Sequence, residues 1–313
     1  MVHLLTITMN PSIDISTSVE RVAPTRKLRC APARRDPGGG GVNVARVANR
    51  LGSQATALYP TGGGCGQLLR RLIDAEGIRS IAIPIAGETR EDFTILEATT
   101  GEEYRFVAAG PQLLDEEWRE CLGAIAAYRE PVDLYVASGS LPPGAPDDFY
   151  ARIAELARAR SIPFALDTSG PALRAALARG VDVLKPSLRE MRELTGQPLA
   201  DPASCVAACR ALIEQGRART VALTLGGQGA ILATAAGAWR AWPLPITPVS
   251  AVGAGDSFLA ALLCALAAGA SHPEAFRHGV AAGSAALLSP GTQLCQPEMV
   301  RELLGHVVID IAA

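Results

Sequence analysis

The segment SAVGAGDSF (250–258) sets an aspartate, Asp256, directly behind Gly253, Ala254 and Gly255 and ahead of a strongly apolar run. Small residues at a helix start leave successive backbone N–H groups open, and the positive end of the helix favours an anion there. A carboxylate beside such a hole could take the proton of a hydroxyl as its oxygen attacks phosphorus. An ordinary carboxylate, with a pKa of about 4, is ionised at neutral pH. Phosphoryl transfer asks the protein for little beyond positioning and charge stabilisation. The plainer alternative is that Asp256 caps a buried helix. Composition alone favours that alternative, but a cap does not require Gly-Ala-Gly in front of it.

Other stretches could supply the rest of such a site. In DPGGGGVNVARVANRLG, four glycines (Gly38 to Gly41) precede a helix start that carries Asn43 in its first turn. Consecutive glycines admit close approach of backbone to a ligand, where a simple turn needs one or two. TLGGQGA (224–230) places Thr224, Gly226 and Gly229 after a strong strand, although for this stretch alone a tight hairpin is the favoured reading. SGSLPPG (138–144) ends a strand with Ser138 and Ser140, where α/β folds put ligands; an ordinary Pro/Gly turn is its plain reading. LKPSLRE (184–190) offers Lys185, Ser187 and Glu190, although by itself the stretch reads first as a capping box of Ser187 with Glu190. Lys27, Arg29, Arg90 and Arg105 are cations in segments without helical pattern, and guanidinium forks match phosphate oxygens.

Several classes are excluded. No GxxxxGK[ST] occurs, so a P-loop NTPase is out. A dinucleotide fingerprint lacks its third glycine, and no clean strand is expected ahead of Gly38. Lysine and arginine (29) nearly balance aspartate and glutamate (31) without a long basic run, so nucleic acid is a poor partner. The longest apolar run, Phe258 to Ala270, suits a buried helix better than a membrane span. The N-terminus reads as a first strand rather than a signal peptide. The 7 cysteines are scattered without CxxC, which argues against a disulfide framework or zinc site and for a reducing cytoplasm.

The elements that must position these groups alternate. Strand patterns at 4–9, 56–60, 132–139, 162–169, 182–187 and 220–226 are interleaved with helices from about 42 and near 66–76, 147–159, 171–179, 188–195 and 203–215. This predicts an α/β fold with a mostly parallel sheet and helices on both faces. In the helix at 42–51, Val44, Val47, Ala48 and Leu51 share a face and Gly52 supplies a stop. Residues 11–36 and 88–109 break the rhythm and read as a small inserted β-sheet, with a hairpin at TTGE. Hydrophobic residues make up 49%, enough for one large domain across 1–313.

PGGGGVNVAR and VGAGDSF resemble the two signatures of the ribokinase-like (PfkB) carbohydrate kinases, in order and at the family's separation. KLRC (27–30), GEEYRFV (101–107), SGSLPPG and GVAAGSAA (279–286) are similar to one branch, the bacterial ribokinase-type 6-phosphofructokinases. The resemblance implies a three-layer α/β domain with a β-sheet lid, and homodimers that pair through the lids. It implies Asp256 as base, with Gly253, Ala254 and Gly255 as the anion hole. Asp14, Gly38, Gly39 and Asn43 would hold the sugar, and Lys27, Arg90, Arg105 and Ser140 its phosphate. Lys185, Ser187, Thr224, Gly226, Gly229 and Gly283 would line ATP, and Glu190 would order Mg2+ through water. Ser250, Val252, Ala286, Ser289 and Gly291 would form a loop for a monovalent cation, K+. The chain departs from the family pattern at Ser187, where Asn is usual, at Ala251, where Thr is usual, and at Ser289 and Gln293.

The expected reaction is ATP-dependent phosphorylation of a ketohexose phosphate, fructose 6-phosphate first. The alternatives are 1-phosphofructokinase and tagatose-6-phosphate kinase. A kinase of an unphosphorylated sugar would not need the arginines at 90 and 105. A non-catalytic sugar-phosphate or nucleotide sensor is the alternative of another class.

Overall fold

Short apolar runs separated by amphipathic helices fold here into a doubly covered sheet, in a computed structural model that describes residues 1–312. The first strand, β1 (His3–Ile7), leads into β2 (Ser12–Val19) and β3 (Arg34–Gly38), then α1 (Gly40–Arg50), β4 (Gln54–Thr61), α2 (Gly63–Ala75) and β5 (Arg79–Pro84). Next come β6 (Arg90–Glu97), β7 (Glu103–Phe106), α3 (Asp115–Ala127), β8 (Leu134–Ser138), α4 (Phe149–Ala159), β9 (Phe164–Asp167) and α5 (Gly170–Leu177). Then follow β10 (Val181–Leu184), α6 (Leu188–Thr195), α7 (Pro202–Glu214), β11 (Ala218–Thr224), β12 (Ala230–Thr234) and β13 (Gly237–Ala241). The chain finishes with α8 (Ala254–Ala267), α9 (His272–Leu287), α10 (Pro297–Leu304) and β14 (Ile309–Ile311).

The large sheet runs β14-β13-β12-β11-β10-β9-β8-β1-β4-β5. From β5 to β11 every pairing is parallel; the β12, β13 and β14 edge is antiparallel. Strand alternation feeds two cores. Leu4, Ala57 and Val136 face α1, α2, α8, α9 and α10, while Leu5, Leu58 and Tyr135 face the layer of α3 to α7. The chain moves from β1 towards β4 on one side, and β8 flanks β1 on the other. That reversal opens a crevice at the carboxyl ends of the strands, where open α/β sheets bind ligands.

The expected insert is a separate four-stranded sheet, β3-β2-β6-β7, and TTGE turns its β6–β7 hairpin. In β2, Ser12, Asp14 and Ser16 alternate with Ile13 and Ile15, and the isoleucines are buried in the core. One face of the lid is therefore polar and free to line the crevice. One expectation fails at this point. A strand, β3, does precede the glycine run, but it belongs to the lid and pairs antiparallel with β2. Arg-Arg-Asp-Pro-Gly carries none of the β-branched or aromatic residues that mark a strand in sequence; pairing to β2 makes it one.

Helix α8 is apolar all round and buried from Ser257 to Cys264. Gly283 of α9 permits its close approach: a Cβ there would lie 3.3 Å from the Ala254 carbonyl oxygen. Among the described residues no helix is long and apolar enough to cross a membrane.

Candidate active site

A cavity of about 260 Å³ lies between the lid and the carboxyl ends of β8 and β9. The lid contributes Asp14, Arg90, Asp92 and Arg105; the body contributes Gly39, Asn43, Ser138, Ser140, Asp167, Glu190, Gly253 and Asp256. Residues from widely spaced motifs thus meet at one place.

Asp256 is not the helix cap. That place belongs to Gly253, which has a left-handed backbone (φ 73) suited to glycine and no side-chain cap. Asp256 follows at the third helical position. The N–H groups of Ala254, Gly255 and Asp256 therefore have no partner within the helix and point out of its start. The first helical bond there runs from the Ser257 N–H to the Gly253 carbonyl. The Asp256 Oδ2 accepts a hydrogen bond from Asn43 Nδ2 at 2.9 Å. Its pKa is not ordinary either. Burial and the nearby Asp167 charge push it up to about 6, against the pull of Asn43 and Lys185.

The glycine run is a set of close approaches. A Cβ at Gly38 would overlap the Asp14 carboxylate, and one at Gly40 would overlap Ser138 Oγ. Asp14 is held by Ser12 Oγ at 2.6 Å and by Thr292 Oγ1 at 2.9 Å. On the lid, Arg90 pairs with Asp92 at 3.2 Å and donates to the carbonyls of Ala108 and Asn10. Asn10 also donates to Ser140 Oγ at 3.2 Å. Burial raises the pKa of Asp92, partly offset by Arg90. Arg105, in register with Thr94, points to the cavity, while Phe106 is exposed. Lys27 lies on the exposed arm between β2 and β3 and is absent from the cavity wall.

Lys185 is buried and pairs with Asp167 at 3.1 Å. Burial works against its charge, but Asp167 and Glu190 prevail and its pKa rises. Breaking such a pair costs about 3–5 kcal/mol because one charge is left buried alone. Ser187 and Glu190 form the expected capping box on α6: Ser187 N–H donates to Glu190 Oε2 at 2.8 Å and Glu190 N–H to Ser187 Oγ at 3.3 Å. Thr224 bridges to Ser187, and Gly226 (φ 59) and Gly229 (φ 91) turn the β11–β12 hairpin. These three and Gly283 lie outside the cavity wall. Ser250 lies in the loop before α8 and Ala286 in the last turn of α9, and the two meet where the Val249 and Ser250 N–H groups donate to the Leu287 carbonyl. Val252 N–H donates to Ser250 Oγ, and Ser250 Oγ to the lid's Glu103 at 3.1 Å. Ser289 is buried just after α9, and Gly291 (φ 53) abuts Ser16 of the lid. Ala251 is exposed.

Sequence reading missed Asp92, Asp167 and Arg46. Asp167 ends a parallel strand, and that position was signal enough to find it. Asp92 needed the lid register, which pairs it with Asp14. Arg46 gave no signal, because an arginine in a helix is usually solvated.

The profile of the pfkB family carbohydrate kinases matches residues 6–299. The ATP-dependent 6-phosphofructokinase isozyme 2 of Mycobacterium tuberculosis is 46% identical over 298 residues, covering 95% of this chain and 88% of that protein. The 1-phosphofructokinase of Bacillus subtilis is 31% identical over 306 residues, covering 98% and 99%. Crystal structures of phosphofructokinase-2 from Escherichia coli superpose with TM-scores of 0.92 in complex with fructose-6-phosphate and 0.93 in complex with potassium. They are 35% and 36% identical, and both cover 98% of this chain and 99% of the other. With the carbohydrate-kinase profile spanning nearly its full length, the chain belongs to the pfkB family of carbohydrate kinases.

Proposed function

We propose that this chain is an ATP-dependent 6-phosphofructokinase that transfers the γ-phosphoryl group to the C1 hydroxyl of fructose 6-phosphate. The observation that carries the reading is one cavity with a carboxylate at the open start of α8 and two arginines on the facing lid. Asp256 takes the C1 hydroxyl proton as that oxygen attacks phosphorus in line, and ADP leaves. The open amides of Ala254 and Gly255 stabilise the charge that builds on the transferring group. Asp14, Gly38, Gly39 and Asn43 hold the sugar, and Arg90, Arg105 and Ser140 its phosphate. Lys27 sits on the outer arm, where it meets substrate only if the arm moves or a second subunit supplies it. Lys185, Ser187, Thr224, Gly226, Gly229 and Gly283 belong to the ATP side.

Among the described residues no group of three or more His, Cys, Asp or Glu could hold a metal by itself. That donor set suits Mg2+, which keeps its waters and is held largely by nucleotide phosphates, with Glu190 at the cavity wall. The chemistry Mg2+ would supply beside Glu190 is neutralisation of charge on the nucleotide phosphates. Ser250, Val252, Ala286, Ser289 and Gly291, at the end of α9 and in the loops beside it, would offer hydroxyl and backbone oxygens to K+. The cross-strand pair Phe93 and Phe106 is exposed on the lid and suits homodimer pairing there, in a cytoplasmic setting.

Coupled ADP release with fructose 6-phosphate, fructose 1-phosphate and tagatose 6-phosphate tests the assignment. Preference for fructose 1-phosphate would move it to 1-phosphofructokinase, and binding without ADP release would make the protein a sensor. Sedimentation showing only monomer would remove the lid-paired dimer.

A further inference from the structure

Arg46 is fully buried in α1, yet it is no part of the cavity wall. Its Nε donates to Glu76 Oε1 at 2.7 Å, and Nη2 pairs with the same oxygen. Burial opposes the Glu76 charge, but Arg46 outweighs it and holds the carboxyl below the usual range. On the other side, Nη1 faces three oxygens: Pro37 O at 2.9 Å, Thr292 O at 3.0 Å and Asn43 Oδ1 at 3.2 Å. Each of the three carries a group that reaches the site. Pro37 precedes Gly38, against which Asp14 packs. The Thr292 hydroxyl donates to Asp14. Asn43 donates to Asp256.

The chemistry of the Asn43 contact is directional. A guanidinium has five N–H donors and no acceptor. Only the oxygen end of the Asn43 amide can face it, so the NH₂ end must face Asp256. With the opposite orientation, two oxygens would meet at Asp256 and an NH₂ would meet a cation. We infer that Arg46 is a positioning residue for the proton-accepting carboxylate: by donating to Asn43 Oδ1 it fixes which end of that amide meets Asp256. Glu76 in turn holds the guanidinium from outside the cavity. The inference rests on the reading of Asp256 as the base.

Lysine at this position can still pair with Glu76. Its single ammonium cannot serve Asn43, Pro37 and Thr292 in the fork geometry of arginine. Arg46→Lys should lower kcat about tenfold, as small misplacements of catalytic groups do. It should also move the acid limb of the kcat–pH profile to higher pH, because Asp256 loses its fixed donor. The other charged groups facing Asp256 are Asp167 at the end of β9, Lys185 after β10 and Asp14 in β2, and none of them is altered. KM for ATP should hold while KM for the sugar phosphate rises. A merely structural role would lower thermal stability and leave the acid limb in place.

A folded Arg46→Lys enzyme whose profile superimposes on that of the parent overturns the inference. If Arg46→Lys does not fold, Glu76→Gln decides: Glu76 is only half-buried and pairs with both Arg46 and Arg50, and of these two only Arg46 donates to Asn43. It should shift the limb in the same direction by less, and a superimposable profile there overturns the inference equally. Asp256→Asn measured in parallel separates the two readings. Near-parental turnover in that variant removes the base itself. An inactive Asp256→Asn beside an unmoved limb removes only the role of Arg46.

Discussion

Where the cleft faces the lid, Asp256 of the body is held by Asn43, 213 positions away, and Asp14 of the lid by Thr292, 278 positions away. On the β10–β11 side, Ser187 and Glu190 hold each other across 3 positions, and Thr224 leans on the Pro186 carbonyl. The first arrangement exists only in the folded protein and joins two half-buried carboxylates to a buried amide and a buried hydroxyl. The second is a local turn motif that would form wherever a helix begins there. A side chain fixed by distant partners can keep an unfavourable protonation state, as Asp256 does. One fixed by its neighbours has little to gain beyond shape. Substitutions on the lid side should therefore change chemistry, and those on the β10–β11 side, the proposed nucleotide side, should change affinity modestly.

The largest effect should come from Asp256→Asn. Loss of a general base should lower kcat at least about 10²-fold. The same variant should be more stable than the parent at pH 7. The folded-state pKa of Asp256 is raised to about 6 from an ordinary 3.8. A raised carboxylate contributes its stability below the unfolded pKa and loses it as pH climbs through the folded one, between about 4 and 6. At neutral pH the ionised carboxylate thus costs on the order of 1–3 kcal/mol. Thermal unfolding at pH 4 and pH 7 should show the two proteins converging at the lower pH. In the parent, kcat should fall as pH drops through about 6. Parental turnover in Asp256→Asn would break the comparison, because the lid-side network would then hold no base.

Next in size is a pair of glycines that differ in what surrounds them. Gly38 is crowded by the Asp14 carboxylate, whereas Gly226 has open space but a left-handed φ of 59. Gly38→Ala should displace Asp14 and lower kcat/KM for the sugar phosphate by about 10²-fold. Gly226→Ala should cost only about 1 kcal/mol of backbone strain and leave kcat close to parental. Equal effects from the two would erase the distinction between the sides. Arg105→Ala should be smaller still, raising KM for the sugar phosphate about tenfold through loss of a charge-assisted contact. No change in KM would favour a neutral sugar.

The same division explains what could be read from the sequence. The parallel sheet, the lid and the Ser187–Glu190 box follow from periodicity and from contacts a few residues apart, so they were legible. The helix at 42–51 stops at Leu51 and Gly52 because Gly52 takes a positive φ of 85, as its type suggests. Asp256 was legible as a candidate base, but its position in the helix and its raised pKa were not. The cap belongs to Gly253, and the raised pKa depends on Asp167 and on burial, which no local pattern encodes. β3 was hidden for the same reason, since its pairing with β2 rather than its residues makes it a strand. Lys27 shows the converse: a cation placed at the site by motif lies on an exposed arm outside the cavity wall.

The smallest effect tests the local side directly. Ser187 stands where the resemblance to the family leads one to expect Asn, and here it accepts from the Glu190 N–H at 3.3 Å while its own N–H donates to Glu190. Asparagine is as good an N-cap as serine, so Ser187→Asn should keep the box and shift stability by no more than about 0.5 kcal/mol. Its longer amide would reach beyond the cap towards metal-bound water, which the serine hydroxyl, turned to Glu190, does not. The expected gain is about twofold in KM for MgATP, a few tenths of a kcal/mol, with kcat and the pH profile unchanged. If Ser187→Asn instead altered kcat or moved the acid limb, the capping box would be coupled to Asp256 through Glu190, Lys185 and Asp167. The nucleotide side would then belong to the same buried network as the lid side.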